Sequence, residues 1–155
     1  YNVPYVFKAD SVDIDRLQNA VNAILSRHEI LRTHFENKDG NIIQVINDTA
    51  ECKVELLDSD DINAFIRPFE LSEATLLRVG VYENTVMIDM HHIISDGTSL
   101  GILLQELCDL YNNKELKEKQ IDYKDFTIWE KEQFKSEEFE YTGSSGNTSK
   151  RKNDW

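Results

Sequence analysis

Hydrophobic and polar residues recur along this chain with two periods, and each period indicates a type of secondary structure. A period of two residues is typical of strands, and a period of about 3.6 residues is typical of helices. The shorter period predicts strands at residues 3–8, 31–36, 42–46, 53–57, 76–82 and 85–91. The longer period predicts helices at residues 13–28, 60–66, 98–112 and 123–139.

Turn signals connect several of these strands into hairpins. Asp39-Gly40 separates the second and third predicted strands, and Glu83-Asn84 separates the last two. Asp-Gly is a strong signal for a two-residue turn. Because hairpins and helices alternate irregularly, we predict an α/β chain of the α+β two-layer sandwich type, in which helices cover a mixed sheet mainly on one face.

The composition limits the classes of protein to which the chain can belong. Its 155 residues, 40% of them hydrophobic, suffice for one domain with a core. The net charge of −12 argues against a nucleic-acid partner, because such binding needs a basic surface. No apolar run is long enough to span a bilayer, and residue 1 opens directly into a strand pattern, so neither a membrane span nor a signal peptide is expected. Cys52 and Cys108 lie far apart without metal-ligand spacing, which predicts reduced cysteines and a cytoplasmic location.

The composition changes after Tyr141. Residues 142–149 are small and polar, and three basic residues follow them. Such a segment cannot bury apolar surface, so we expect it to be flexible. We therefore predict a folded domain at residues 1–141 and a flexible tail at 142–155, which is either an added segment outside the fold or a natural disordered end.

Two histidines, an aspartate and a glycine lie between the last predicted strand and the helix that follows it. Histidine gains and loses a proton near neutral pH, which suits a general base. Neighbouring side chains of a strand point to opposite faces, so His91 and His92 are not both expected in one cavity. Asp96 could orient a histidine or pair with a cation, and Gly97 allows a sharp turn or a close approach to a ligand.

A plain structural role is the alternative for each of these residues. The histidines would be ordinary residues at a strand end, with Asp96 or Thr98 as the N-cap of the helix. A metal site from His91, His92 and Asp96 is conceivable, but strand alternation directs the two histidines apart. The combination argues for function, because average composition gives His-His-x-x-x-Asp-Gly in a chain of this size with a probability of about 10⁻⁴ to 10⁻³.

This motif and two further blocks resemble a known family. Residues 91–97 (HHIISDG) resemble the active-site motif HHxxxDG of the condensation domains of nonribosomal peptide synthetases. Residues 27–35 (RHEILRTHF) resemble that family's Arg-His-Glu-x-Leu-Arg-Thr-x-Phe block, and residues 123–129 (YKDFTIW) resemble its Tyr-x-Asp-(Tyr/Phe)-x-x-Trp block. The blocks occur in the family's order, and the resemblance implies the fold of a chloramphenicol-acetyltransferase-like acyltransferase lobe.

The resemblance implies a reaction and a role for each motif residue. The reaction is amide formation between two substrates that carrier proteins hold as thioesters on phosphopantetheine arms, in the biosynthesis of antibiotics or other secondary metabolites. His92 would reach the substrate tunnel and either remove the amine proton or mainly position the amine and stabilise the tetrahedral intermediate, while His91 would be structural. Asp96 is implied to pair with an arginine, for which Arg27 and Arg32 are the candidates. Since breaking a buried ion pair costs about 3–5 kcal/mol, we expect Asp96→Ala to misfold.

The resemblance also implies what the chain binds. It implies no directly bound cofactor and no metal, since the substrates arrive on carrier proteins. A condensation domain has two lobes, and this chain corresponds to the first, so the missing C-terminal lobe is a further partner. We therefore expect the lobe alone to be weak or inactive, and to self-associate through the face that the second lobe would cover.

Two other functions remain open. A stand-alone coenzyme A-dependent acyltransferase of the chloramphenicol-acetyltransferase kind builds its site between subunits and so tolerates one lobe per chain. Trimerisation and activity on coenzyme A thioesters would favour that function. The third hypothesis is a non-catalytic lobe that docks carrier proteins, against which the intact His92 and Asp96 argue.

Overall fold

A mixed sheet of four strands forms the centre of the larger part of this chain in the computed structural model. The structure describes residues 1–117 and two short strands at 139–142 and 148–151. Backbone contacts divide the chain into two units, residues 1–118 and residues 119–155.

Residues 1–117 form six strands and three α-helices. The strands are β1 (Asn2–Lys8), β2 (Thr33–Lys38), β3 (Asn41–Ile46), β4 (Glu55–Leu56), β5 (Leu77–Tyr82) and β6 (Thr85–His91). The helices are α1 (Ile14–Arg27), α2 (Ile62–Phe65) and α3 (Gly97–Tyr111). The order in the central sheet is β1-β6-β5-β4, with β4 parallel to β5 and the other pairs antiparallel, while β2 and β3 form a separate hairpin.

Strand β6 lies inside the sheet and is buried on both of its faces. Ile88 belongs to the hydrophobic core that β6 shares with α1 and α3, as the alternating pattern predicts. On the opposite face Met87 and Asp89 are fully buried as well. Part of that second face is covered by α2, because a Cβ added at Gly80 of β5 would lie 2.7 Å from the Phe65 ring. The strand that ends at the histidine pair is thus held from two sides.

Helix α1 follows the predicted boundaries because both of its ends are capped. The Asp13 side chain accepts a hydrogen bond from the Arg16 amide (3.0 Å), and the His28 amide donates to the Ile24 carbonyl (3.0 Å). The buried residues of the helix recur at helical spacing and are Leu17, Ala20, Val21, Ile24 and Leu25. The prediction of a helix at residues 13–28 is confirmed.

The predicted architecture is confirmed, and so is the main hairpin turn. A mixed sheet is covered mainly on one face by α1 and α3, and the helix predicted at residues 98–112 is α3. Asp39 and Gly40 both have positive φ angles (54° and 83°), as a type I′ turn requires. Among the helices that the structure describes, none has the length and apolar character of a membrane span.

Three predicted elements differ from the structure. Residues 29–32 form a 3₁₀ helix, so β2 begins at Thr33 rather than at residue 31. The Thr33 hydroxyl donates to the Glu29 carbonyl (2.9 Å) and closes this turn. The strand predicted at residues 53–57 is reduced to the two residues of β4, and the helix predicted at 60–66 is the single turn of α2.

The second unit contains a hairpin that the sequence does not indicate. Strand β7 (Phe139–Thr142) pairs antiparallel with β8 (Thr148–Arg151). Part of the predicted flexible tail at residues 142–155 is therefore paired in the structure. The block at residues 123–129 and the helix predicted around it lie outside the described residues. The domain boundary after residue 141 stays a prediction.

Candidate functional site

The histidine pair and the aspartate lie in one short connection between β6 and α3. His91 is the last residue of β6, and His92 begins a 3₁₀ turn that ends at Ile94. Asp96 follows, and α3 begins at Gly97. The structure therefore brings all four predicted motif residues together at the end of the buried central strand.

His91 is half-buried and its ring is fixed by local contacts. The Ile93 amide donates a hydrogen bond to His91 Nδ1 (3.0 Å), so the neutral ring carries its proton on Nε2. The His91 ring also meets the Phe69 ring edge-on, with a centroid distance of 6.3 Å and an interplanar angle of 77°. Burial lowers the pKa of His91 below its ordinary value. These contacts fit a structural role, with the ring held neutral as the cap of the turn.

The lowered pKa of His91 predicts a loss of stability on mild acidification. Between the ordinary histidine pKa of about 6.5 and the lower folded value, the unfolded chain binds a proton that the folded chain rejects. The free energy of unfolding should therefore fall as the pH drops through this window. Urea denaturation of the wild type and of His91→Gln, which does not titrate, checks this. An equal pH dependence in the two proteins over this window would contradict it.

His92 differs from His91 in its exposure. Its backbone amide donates to the Tyr1 carbonyl (2.8 Å), and its carbonyl accepts from the Ser95 amide (3.3 Å), while the residue as a whole is exposed. The imidazole makes no hydrogen bond or ion pair with any side chain in residues 1–117. Because β6 ends at His91, strand alternation does not separate the two rings. The change from strand to 3₁₀ turn gives the two histidines their different surroundings.

Asp96 is the N-cap of α3 and is exposed. Its Oδ1 accepts a hydrogen bond from the Ser99 amide (2.7 Å), and its own amide donates to Ser99 Oγ (2.8 Å), which completes a capping box. The Ser99 hydrogen bonds lower the pKa of the Asp96 carboxyl. At Gly97 an added Cβ would meet nothing within 4 Å, so the described residues do not require a glycine there.

Among the described residues, no ion pair joins Asp96 to Arg27 or Arg32, the two candidate arginines. Arg27 Nε lies 3.2 Å from Glu106 Oε1 of α3, and its Nη2 donates to the Lys117 carbonyl (2.6 Å). Arg32 donates to backbone carbonyls, among them that of Asn47 (2.6 Å). The reason is geometric: α1 packs against α3 along its length, so the carboxylate that meets Arg27 lies inside α3 rather than at its start.

The effect expected of Asp96→Ala changes with this finding. Loss of an exposed helix cap should lower the melting temperature by about 3–6 °C and leave a folded protein. Asp96→Ser, which keeps a capping oxygen, should retain most of the wild-type value. Thermal unfolding followed by circular dichroism measures both variants. Insoluble Asp96→Ala protein beside a well-folded Asp96→Ser variant would restore the buried ion pair as the better explanation.

Sequence reasoning missed two charged groups on β6 and α3, the two elements that flank the motif. Glu106 pairs with Arg27 and also contacts His28, so one carboxylate links the end of α1 to α3. Asp89 is fully buried in β6 and pairs with Arg78 of β5 (2.8 Å). The available signal for Asp89 was a charge inside an otherwise apolar strand. Glu106 gave no such signal, because it looks like any exposed residue of an amphipathic helix.

A groove in residues 1–117 is lined by Phe69, whose ring meets His91, but by neither histidine of the motif. It has a volume of about 790 Å³ and is lined by residues 51–56, 68–70, 73–75, 77 and 78. Cys52 lies at this groove, and burial raises the pKa of its thiol to about 11, so it is not a thiolate at neutral pH. Among the described residues, no three histidine, cysteine, aspartate or glutamate side chains converge as metal ligands.

Comparisons with known proteins agree on one family. The model of the condensation domain matches residues 1–143. Surfactin synthase subunit 1 of Bacillus subtilis (strain 168) is 37% identical over an alignment of 149 residues, and the match covers 88% of this chain and 4% of that protein. Bacitracin synthase 2 of Bacillus licheniformis is 42% identical over an alignment of 144 residues, and the match covers 85% of this chain and 6% of that protein. The chain therefore spans only a few per cent of the length of these relatives.

Solved structures show the same fold at lower identity. The epimerization domain from the third module of tyrocidine synthetase B has a TM-score of 0.77 at 19% identity, over 88% of this chain and 37% of that one. The condensation domain of the monacolin K polyketide synthase has a TM-score of 0.74 at 22% identity, over 87% and 34% of the two chains. With the fold and the family match in agreement, the chain belongs to the condensation domain family.

Proposed function

We propose that this chain is the N-terminal lobe of an amide-forming condensation domain in a nonribosomal peptide synthetase. The observation that carries the proposal is the exposed His92 at the end of the buried strand β6, beside a neighbouring His91 whose ring is already engaged. In this proposal His91 shapes the turn, Asp96 caps α3, and Gly97 leaves the space in front of the helix open. Arg27 and Arg32 hold the scaffold rather than the motif aspartate.

His92 would act as the general base. The amine of the acceptor attacks the carbonyl carbon of the donor thioester, so a carbon–nitrogen bond forms and the carbon–sulfur bond breaks. His92 takes the proton from the attacking amine and returns it to the departing sulfur, which leaves as the thiol of the phosphopantetheine arm. Histidine is the side chain that proteins most often use to accept and return a proton near neutral pH, which suits this task.

A second lobe is the first partner that this proposal requires. The chain matches about a third of each solved relative, so a second lobe would supply the opposite wall of the site. Exposed apolar side chains support such a contact, since Ile93, the residue after His92, is 42% exposed and Ile102 of α3 is 53% exposed. The lobe alone would be weak or inactive and prone to self-association. Two free cysteines fit a cytoplasmic location.

The test is peptide transfer between carrier proteins. The complete condensation domain that contains this lobe is combined with the two carrier proteins of its own synthetase, each loaded by its own module, and the amide product is measured by mass spectrometry. Product formation is expected with the complete domain and at most weakly with residues 1–155. Acyl transfer from coenzyme A thioesters by a trimer would favour the stand-alone acyltransferase. Carrier binding without any product would favour the docking lobe.

A further inference from the structure

A buried ion pair lies on the face of β6 that points away from α1 and α3. Asp89 is fully buried, and Arg78 lies directly opposite it on β5 in the strand register. Arg78 Nη1 donates to Asp89 Oδ2 (2.8 Å), and Asn2 Nδ2 donates to the same oxygen (2.7 Å). The second carboxylate oxygen, Oδ1, is buried and accepts no hydrogen bond from the described residues. The carboxylate is thus held through one oxygen.

Arg78 connects this ion pair to the ring that packs on His91. Its guanidinium carbon lies 4.0 Å from the centroid of the Phe69 ring, and Nη1 also donates to the Arg67 carbonyl (3.0 Å). Arg78 therefore contacts both the Phe69 ring and the backbone two residues before it. The same ring meets His91 edge-on at 6.3 Å. Asp89 and His91, two residues apart on β6, share this face of the sheet.

Stability alone does not account for a charged pair in this place. Burial raises the pKa of Asp89 and lowers that of Arg78, so both side chains pay desolvation on folding. Replacing a buried ion pair by apolar side chains of similar volume is often neutral or stabilising. The charged pair does fix the direction of the Arg78 guanidinium, and that guanidinium packs on the Phe69 ring, which in turn contacts His91.

We propose that Asp89, Arg78 and Phe69 are positioning residues for the histidine pair. The ion pair holds Phe69 against His91. The His91 ring accepts a hydrogen bond from the Ile93 amide and so shapes the turn whose first residue is His92. The effect on catalysis rests on the proposed function of His92. The first link, from Arg78 to the His91 ring, does not depend on that function and has its own measurement.

The test uses the double variant Arg78→Met/Asp89→Leu in the complete condensation domain. The variant removes one positive and one negative charge, so the net charge is unchanged. We expect a melting temperature equal to or above that of the wild type. We also expect the ¹⁵N signals of the His91 ring to change from a single Nε2-protonated tautomer to a mixture. The kcat of peptide transfer should fall about 10- to 100-fold with little change in KM, because a misplaced base slows chemistry more than binding.

Two further variants distinguish an effect on the position of the His91 ring from an effect on folding. Phe69→Leu keeps the ion pair and removes the ring, and should change the His91 signals in the same direction. Asp109→Asn/Lys114→Gln removes an exposed ion pair (3.5 Å) of α3 and its following loop, again without changing the net charge. This matched control should have wild-type His91 signals and kcat, because exposed pairs contribute little.

The outcomes are distinguishable. A folded double variant with wild-type His91 signals overturns the proposal, whatever its kcat. If the wild-type domain forms no amide, the proposed function fails, while the His91 signals still test the link from Arg78. If the double variant does not fold, Phe69→Leu and Arg78→Lys take its place, since lysine keeps the charge but loses the stacking and the fork of hydrogen bonds. Wild-type His91 signals in both of these would overturn the proposal as well.

Discussion

His92→Ala should lower the rate of amide formation by the complete condensation domain about 10²- to 10⁴-fold, the range that a positioned general base contributes. The residue is exposed just after β6, and its imidazole makes no hydrogen bond or ion pair with the described residues, so its loss should leave the fold intact. The measurement is single-turnover transfer between loaded carrier proteins, with melting temperature as the check on folding. A variant that keeps the wild-type rate would remove His92 from the mechanism.

His92→Gln separates the two roles that the family resemblance leaves open. Glutamine keeps a polar side chain that can orient the amine, but it does not accept a proton near neutral pH. Proton removal by His92 predicts that the glutamine variant is nearly as slow as the alanine variant. Positioning alone predicts a glutamine variant close to the wild type. His34→Gln in the β2–β3 hairpin is the matched control and should transfer at the wild-type rate.

Ile88→Ala should lower the free energy of unfolding by about 2–5 kcal/mol, the usual cost of truncating a fully buried isoleucine. Ile88 is 0% exposed in β6, the strand that carries the histidine pair. Typical domains are stable by about 5–15 kcal/mol, so this one change removes a large part of the total. Equilibrium urea denaturation of the complete domain measures the loss.

Ile42→Ala is the matched control for Ile88→Ala. The chemical change is identical, but Ile42 is 67% exposed in β3 and loses little contact on truncation. Its effect should stay within about 0.5 kcal/mol, as for surface positions in general. Equal losses for the two variants would show that the sheet face of Ile88 is less well packed than its burial indicates.

The helix and the strand around the site could be predicted from local sequence patterns. The side-chain contacts between them and the rest of the fold could not. The alternation before His91 and the helical spacing after Gly97 depend only on neighbours in the chain, so β6 and α3 were predicted closely. The role of Asp96 was a choice between a cap and an ion pair. Both are compatible with the sequence, and the structure selects the cap because the Ser99 amide lies three residues away in the right geometry.

Ion pairs between residues that are distant in the chain could not be predicted from the sequence. Arg27 and Glu106 are 79 residues apart, and they meet because α1 packs on α3. Arg78 meets Asp89 because β5 and β6 are paired in one register, and a shift by one residue would turn the two side chains to opposite faces. Such contacts depend on the assembled tertiary structure, whereas composition and periodicity report only which face of each element is apolar.

The central sheet of residues 1–117 stops at β1, whose outer backbone groups have no neighbouring strand there. Tyr5 and Val6 on this strand are 43% and 42% exposed, and Pro4 supplies the single break in its row of amide donors. An exposed edge strand of this kind can pair with a strand of another polypeptide. Samples of this chain alone should therefore be kept dilute and monitored by light scattering, since assembly through this edge would mask any weak activity.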